Sequence, residues 1–152
     1  MGKFEDVSEN VYEMMKNVIK EHFPELVNAR FKILFSTKKK TSGGKICFAW
    51  IQKTNDLIRH LTTEEADSED GYDYIIYIDK LIWDNIEETD RIRLMRHELR
   101  HTHVDLESSS NPYKIRGHSI EDFYSEIELN KDDPRWAQRV AVVAESLYSR
   151  DQ

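Results

Sequence analysis

Residues 89–105 read TDRIRLMRHELRHTHVD and contain the pattern H-E-x-x-H at His97, Glu98 and His101. On an α-helix, residues four apart lie one turn apart on nearly the same face, so His97 and His101 can bind one metal ion. Glu98 lies about 100° around the helix axis, where a carboxylate reaches a metal-bound water without being a ligand. The pattern therefore predicts a Zn²⁺ site with His97 and His101 as ligands and Glu98 as the catalytic base.

The residues around the motif favour a helix that holds the two histidines rigidly. Positions three to four apart share one face of this helix, namely Ile92, Met95, Leu99 and His103. Thr89 or Asp90 is a suitable N-cap, and the helix is expected to continue past His103. The alternative interpretation is a charged surface helix that carries two histidines by coincidence, since short motifs also occur by chance.

A catalytic zinc site needs a third protein ligand, because the fourth position is kept for water. Residues 106–117 (LESSSNPYKIRG) contain turn-forming residues, so the chain is expected to turn back and bring His118 to the site. His103 would point about 200° away from the second ligand on a continuing helix, and could bind only if the helix broke. Asp122 is expected to orient a ligand imidazole through its second nitrogen.

Hydrophobic periodicity elsewhere predicts an α+β protein. Helices are expected at residues 8–22, 120–129 and 134–150, and strands at residues 31–36, 45–52 and 72–79. Gly43 and Gly44 are expected to form the turn of a hairpin between the first two strands. The third strand (YDYIIYID) has a central apolar run, which predicts burial on both faces.

Several single side chains receive simpler interpretations. Glu126 and Glu128 are expected on a solvated helix face, Trp136 in the core, and Cys47 as a buried structural thiol. Three side chains lie in the right part of the chain to stabilise an oxyanion, and the sequence does not choose among them: Tyr113, Arg116 and Tyr124.

The composition predicts one soluble domain covering residues 1–152, with 34% charged and 39% hydrophobic residues. The formal net charge of −7 argues against a nucleic-acid or membrane-surface binder, although three lysines at residues 38–40 keep nucleic-acid contact open as a minority interpretation. A single cysteine, with no signal-peptide pattern and no apolar membrane span, predicts a cytoplasmic location.

Four motifs together resemble the putative phage metallopeptidase family, which is itself similar to the SprT-like zincins. They are YIIYID at 74–79, HELRH at 97–101, GHSIEDF at 117–123 and DDPRW at 132–136. The resemblance implies a minimal zincin-like domain, in which a small three-stranded antiparallel or mixed sheet packs against the H-E-x-x-H helix, with flanking N- and C-terminal helices. It also implies a phage or prophage origin and supports His118 as the third metal ligand, with Glu121 as the alternative.

The residues and the resemblance together predict a zinc-dependent metallopeptidase that acts on a peptide or protein substrate. Two other function classes stay open. The chain can be a non-catalytic zinc-containing binding or regulatory module of a phage, although an intact Glu98 favours the enzyme. A metal-dependent nucleic-acid-processing protein is disfavoured by the acidic charge, and a salt-dependent DNA-binding assay separates it from the others.

Overall fold

The chain folds into a mixed α+β structure, as the sequence predicts. This computed structural model describes residues 2–108, 111–116 and 124–149. Its strands are β1 (Phe4–Asp6), β2 (Phe31–Ser36), β3 (Thr41–Ser42), β4 (Lys45–Ile46), β5 (Ala49–Lys53), β6 (Tyr74–Asp79), β7 (Thr102–Val104) and β8 (Tyr113–Ile115). Its helices are α1 (Glu9–His22), α2 (Asp56–Leu61), α3 (Thr63–Ala66), α4 (Lys80–Asp84), α5 (Glu88–Arg100), α6 (Tyr124–Leu129) and α7 (Trp136–Ser149), with a 3₁₀ turn at Pro24–Leu26.

The main sheet has four strands in the order β1-β2-β6-β5, with β6 next to the edge strand β5. β6 pairs in parallel with β2 and antiparallel with β5, so the sheet is mixed. All residues of β6 except Tyr77 are buried, which confirms the strand predicted to be covered on both faces. The expectation of three strands is wrong, because β1 adds a fourth along β2. Its three residues are too few to show a hydrophobic period.

The predicted hairpin at Gly43 and Gly44 exists, but it joins different strands from those expected. The two glycines have φ angles of 58° and 79° and connect the short strands β3 and β4. The expected strand over residues 45–52 is therefore wrong in extent, since β4 ends at Ile46 and β5 begins at Ala49. β2 and β5 are not neighbours, because β6 lies between them. The apolar strand β6 is therefore paired on both edges and shielded from water.

The core forms where α1 and α5 pack together against the sheet. α1 begins after Ser8 and ends at His22, as predicted, and its buried residues lie on one face of the helix: Val11, Met15, Val18 and Ile19. The adjacent Phe23, at 2% exposure, extends this apolar face. From α5, Met95 and Leu99 are almost fully buried in the same core. This packing fixes the position of the helix that carries the H-E-x-x-H motif.

The helix α5 is shorter than the sequence predicts. It begins after Glu87 rather than after Thr89 or Asp90, and it ends at Arg100 with His101 as its C-cap. The chain then enters β7, which pairs antiparallel with β8. The Thr102 hydroxyl donates a hydrogen bond of 2.7 Å to the Leu99 carbonyl in the last turn of α5, which adds a side-chain donor at the helix end.

The C-terminal helices close the structure. Trp136 begins α7 and is 4% exposed, and Val140 and Ala144 on the same helix are also buried, so the predicted core role of Trp136 is confirmed. α6 is described from Tyr124, and the expected start of this helix at residue 120 lies outside the described residues. None of the helices in the described ranges has the length and apolar character that a membrane crossing requires.

Candidate metal centre

The last turn of α5 brings His97, Glu98 and His101 together. One possible ligand atom from each residue lies within 4.8 Å of the others. The centroids of the two imidazole rings are 5.4 Å apart, and their planes are inclined at 74°. Because Met95 and Leu99 anchor the opposite side of this turn in the core, a rigid helix directs the two imidazoles away from the core, and Glu98 lies between the two sides.

The ring of His101 is oriented by the backbone of Arg116. Its Nδ1 atom lies 2.8 Å from the Arg116 carbonyl oxygen, and the Arg116 N–H donates a 2.6 Å hydrogen bond to the His101 carbonyl. A carbonyl oxygen only accepts hydrogen bonds, so Nδ1 carries the proton of the neutral imidazole. The Nε2 atom of His101 then keeps a lone pair, which is the form that binds a metal ion.

Glu98 is a buried carboxyl group between two half-buried histidines. Glu98 is 5% exposed, and this burial raises the pKa of its carboxyl group to about 7. A positive charge on His97 acts in the opposite direction and lowers this pKa. A carboxyl group with a pKa near neutrality can both take up and return a proton at physiological pH. Glu98 therefore has the environment that a general base requires.

A cleft of about 460 Å³ opens over the three side chains. Its walls are formed mainly by apolar residues of β5 and by the end of β8, namely Ala49, Trp50, Ile51 and Ile115, together with Arg116. Trp50 is held in place because its ring stacks on Tyr77, with centroids 5.0 Å apart and an interplanar angle of 15°. A largely apolar cleft with a few polar groups at its base is typical of a ligand or substrate site.

The donor set fits a transition-metal ion. Two imidazole nitrogens are typical ligands of Zn²⁺, and a nearby carboxylate is common in zinc sites. Mg²⁺ and Ca²⁺ instead prefer sites built from oxygen atoms. In the tautomer whose Nδ1 donates to the Arg116 carbonyl, Nε2 of the neutral His101 ring carries no proton, as a ligand histidine requires.

The other residues considered for the site divide into those outside the described residues and one within them. His118, Glu121 and Asp122 lie outside the described residues. The prediction that His103 continues the helix is wrong, because His103 lies on β7 and is exposed to solvent. The candidate cluster found among the described residues does not include it.

The three residues considered as oxyanion donors have different surroundings. Arg116 lines the cleft, and its Nε atom donates a 2.9 Å hydrogen bond to the Arg100 carbonyl. Tyr113 packs edge-on against Tyr74, with ring centroids 5.8 Å apart. The side chain of Tyr124 lies outside the described residues. Of the two whose side chains are described, Arg116 is the one that lines the cleft.

The sequence reasoning missed a stripe of three arginines on α5, which we call the arginine stripe: Arg93, Arg96 and Arg100. Each arginine pairs with acidic residues of the C-terminal part of the chain. The expectation that Glu126 is solvated is wrong, because Glu126 has 0% exposure and bridges Arg96 and Arg100. The spacing R-x-x-R-x-x-x-R was a signal, since arginines so placed lie along one side of a helix.

A mixed α+β fold with a His/Glu/His cluster defines a candidate metal-binding protein. The family model described as "Putative phage metallopeptidase" matches residues 3–148, and the chain belongs to this family. Searches of curated proteins and of solved structures found no match. Membership in a metallopeptidase family implies a metal ion and a peptide substrate, and the cluster on α5 is the possible site for that ion.

Proposed function

We propose that this chain is a zinc-dependent metallopeptidase of phage or prophage origin, acting as a single domain over residues 1–152. His97, His101 and His118 are the proposed zinc ligands, and Glu98 is the proposed general base. The observation that carries the proposal is the grouping of ligand atoms from His97, Glu98 and His101 within 4.8 Å at the base of an apolar cleft. The family description supports both the peptidase activity and the phage origin.

In the proposed mechanism, the histidines of α5 hold the ion and Glu98 moves the proton. A bound Zn²⁺ supplies Lewis-acid chemistry, which polarises a carbonyl group and lowers the pKa of a coordinated water to about 7. Glu98 accepts a proton from the attacking water at a carboxylate oxygen and then returns it to the leaving amine. The apolar walls formed by Ala49 and Ile51 exclude water from the peptide and strengthen the electrostatic interactions at the base of the cleft.

The experiment that tests the ligand set is zinc stoichiometry by metal analysis after reconstitution. We expect about one zinc ion per chain in the wild type, as a site with three protein ligands requires. The substitution His118→Ala should remove or strongly weaken binding, and His103→Ala is the matched control because His103 is exposed on β7. Equal zinc content in the wild type and in His118→Ala would exclude His118 as the third ligand and leave Glu121 as the candidate to test next.

Failure to bind zinc after reconstitution would contradict the proposed function itself. A wild-type chain that binds zinc tightly and hydrolyses no peptide in a broad substrate screen would instead favour the non-catalytic zinc module. These outcomes separate the metal site from the activity, because stoichiometry is measured without a substrate.

A further inference from the structure

The helix that carries the candidate metal ligands also carries two buried cations close to them. Arg96 precedes His97, and Arg100 precedes His101. The side chains of Arg96 and Arg100 are only 10% and 14% exposed. Each arginine is the direct chain neighbour of a proposed ligand, so the end of α5 carries both guanidinium groups and both imidazoles. Largely buried charges are weakly screened by salt, so two positive charges here oppose the binding of a divalent cation.

Glu126 is the buried carboxylate that these two arginines share. Its Oε1 atom accepts a 2.7 Å hydrogen bond from Arg96 Nε, and its Oε2 atom accepts bonds of 2.9 and 3.2 Å from Arg100 Nη2 and Nε. Glu126 has 0% exposure, so solvent does not weaken these interactions. Arg96 also donates to the Oδ1 atom of Asn130, which is a neutral partner. Among the described hydrogen-bond partners of Arg96 and Arg100, Glu126 is the one that carries a negative charge.

We propose that Glu126 is a positioning residue that allows α5 to hold a divalent metal ion. Its carboxylate, held between Arg96 and Arg100, acts by lowering the net positive charge beside the ligand histidines. The inference rests on the proposed metal site and adds an electrostatic requirement for that site. Residues outside the ligand set commonly change metal affinity about 10- to 100-fold when they are replaced.

The test uses a charge series in the full chain, with Zn²⁺ as the probe. The variants are Glu126→Gln, Arg100→Gln and the double variant Arg100→Gln/Glu126→Gln. Glu128→Gln is the matched control, because Glu128 is on the same helix with a side chain that is 77% exposed. Zinc affinity is measured by competition with a chromophoric chelator at constant pH, and thermal unfolding of the metal-free variants reports their stability.

The affinity should follow the net charge of the group formed by Arg96, Arg100 and Glu126. Glu126→Gln should bind zinc about tenfold or more weakly than the wild type, whereas Arg100→Gln should bind at least as tightly. The double variant restores the wild-type net charge and should return to within about threefold of the wild-type affinity. Glu128→Gln should be unchanged.

A purely structural bridge would give a different order. Arg100→Gln breaks the same bridge, so it would then weaken zinc binding as much as Glu126→Gln does, and the inference would be overturned. If Glu126→Gln does not fold, comparison of Arg100→Gln with the double variant still isolates the carboxylate, because only Glu126 differs between them. Absence of zinc binding in the wild type contradicts the proposed function, whereas equal binding by all variants contradicts only this inference.

Discussion

The Nδ1 atom of His101 lies 2.8 Å from the carbonyl oxygen of Arg116, so the backbone of a neighbouring strand end orients the ring of a proposed metal ligand. This contact exists because α5 ends at Arg100 and the chain enters β7, which pairs with β8 and returns Arg116 to the helix end. A backbone acceptor fixes the tautomer of His101. Unlike a carboxylate, the carbonyl does not itself gain a proton as the pH falls.

Replacement of the Arg116 side chain should leave zinc affinity nearly unchanged. In Arg116→Ala the carbonyl that orients His101 is still present, and the side chain loses its hydrogen bond to the Arg100 carbonyl. We expect an affinity within about threefold of the wild type, measured by chelator competition, because the orienting group is retained. A loss of tenfold or more would mean that the guanidinium itself is needed to hold the end of the helix.

The substitution Glu98→Gln should separate metal binding from catalysis. Glutamine has nearly the same shape but cannot accept the proton, so hydrolysis should fall by about 10²- to 10⁴-fold while zinc content stays the same. Zinc is measured by metal analysis, and hydrolysis with an unstructured, fluorescently labelled protein substrate. Glu128→Gln is the control with an exposed carboxylate. A Glu98→Gln variant with nearly wild-type activity would show that Glu98 is not the base.

The turn at Gly71 should tolerate no side chain. Gly71 has a φ of 66°, and an added Cβ would lie 2.2 Å from the Arg59 carbonyl oxygen, which belongs to α2. Gly71→Ala should destabilise the fold by about 3 kcal/mol or more, because it combines a strained φ with a backbone clash. Gly43→Ala is the matched control, since Gly43 has a φ of 58° with open space around it. It should cost only about 1 kcal/mol in chemical denaturation.

The local features of the fold could be predicted from the sequence. The helix α1, the buried strand β6 and the helical setting of His97 and Glu98 each follow from a hydrophobic period within one segment. The grouping of ligand atoms from the H-E-x-x-H motif likewise depends only on helix geometry.

The features that the sequence did not predict depend on contacts between distant residues. The end of α5 depends on the pairing of β7 with β8, and this pairing overrides a helical period that continues to His103. The burial of Glu126 depends on Arg96, thirty residues earlier in the chain. The local sequence around Glu126, which lies two residues from the exposed Glu128, therefore does not indicate that Glu126 is buried.

Asp90 should stabilise the fold in a pH-dependent way. Burial opposes its ionisation, but hydrogen bonds from Arg139 and Arg93 outweigh burial and hold the pKa of Asp90 below its usual value. A carboxyl group whose pKa is lower in the folded than in the unfolded state contributes stability above the unfolded value, near 3.9. This contribution is lost as the pH falls below about 4 toward the folded pKa.

The substitution Asp90→Asn should therefore destabilise the chain at pH 7 by about 2–3 kcal/mol, because Arg93 and Arg139 lose a buried anionic partner. The difference from the wild type should shrink as the pH falls from about 4 toward the lower folded pKa, because the unfolded wild-type chain then binds a proton that the folded carboxyl does not. Urea denaturation at several pH values measures this directly. Asp132→Asn is the control, because that carboxylate is 70% exposed and its loss should cost less than about 1 kcal/mol. A stability difference for Asp90→Asn that is the same at pH 3 and pH 7 would show that packing, rather than the carboxylate charge, holds this end of α5 in place.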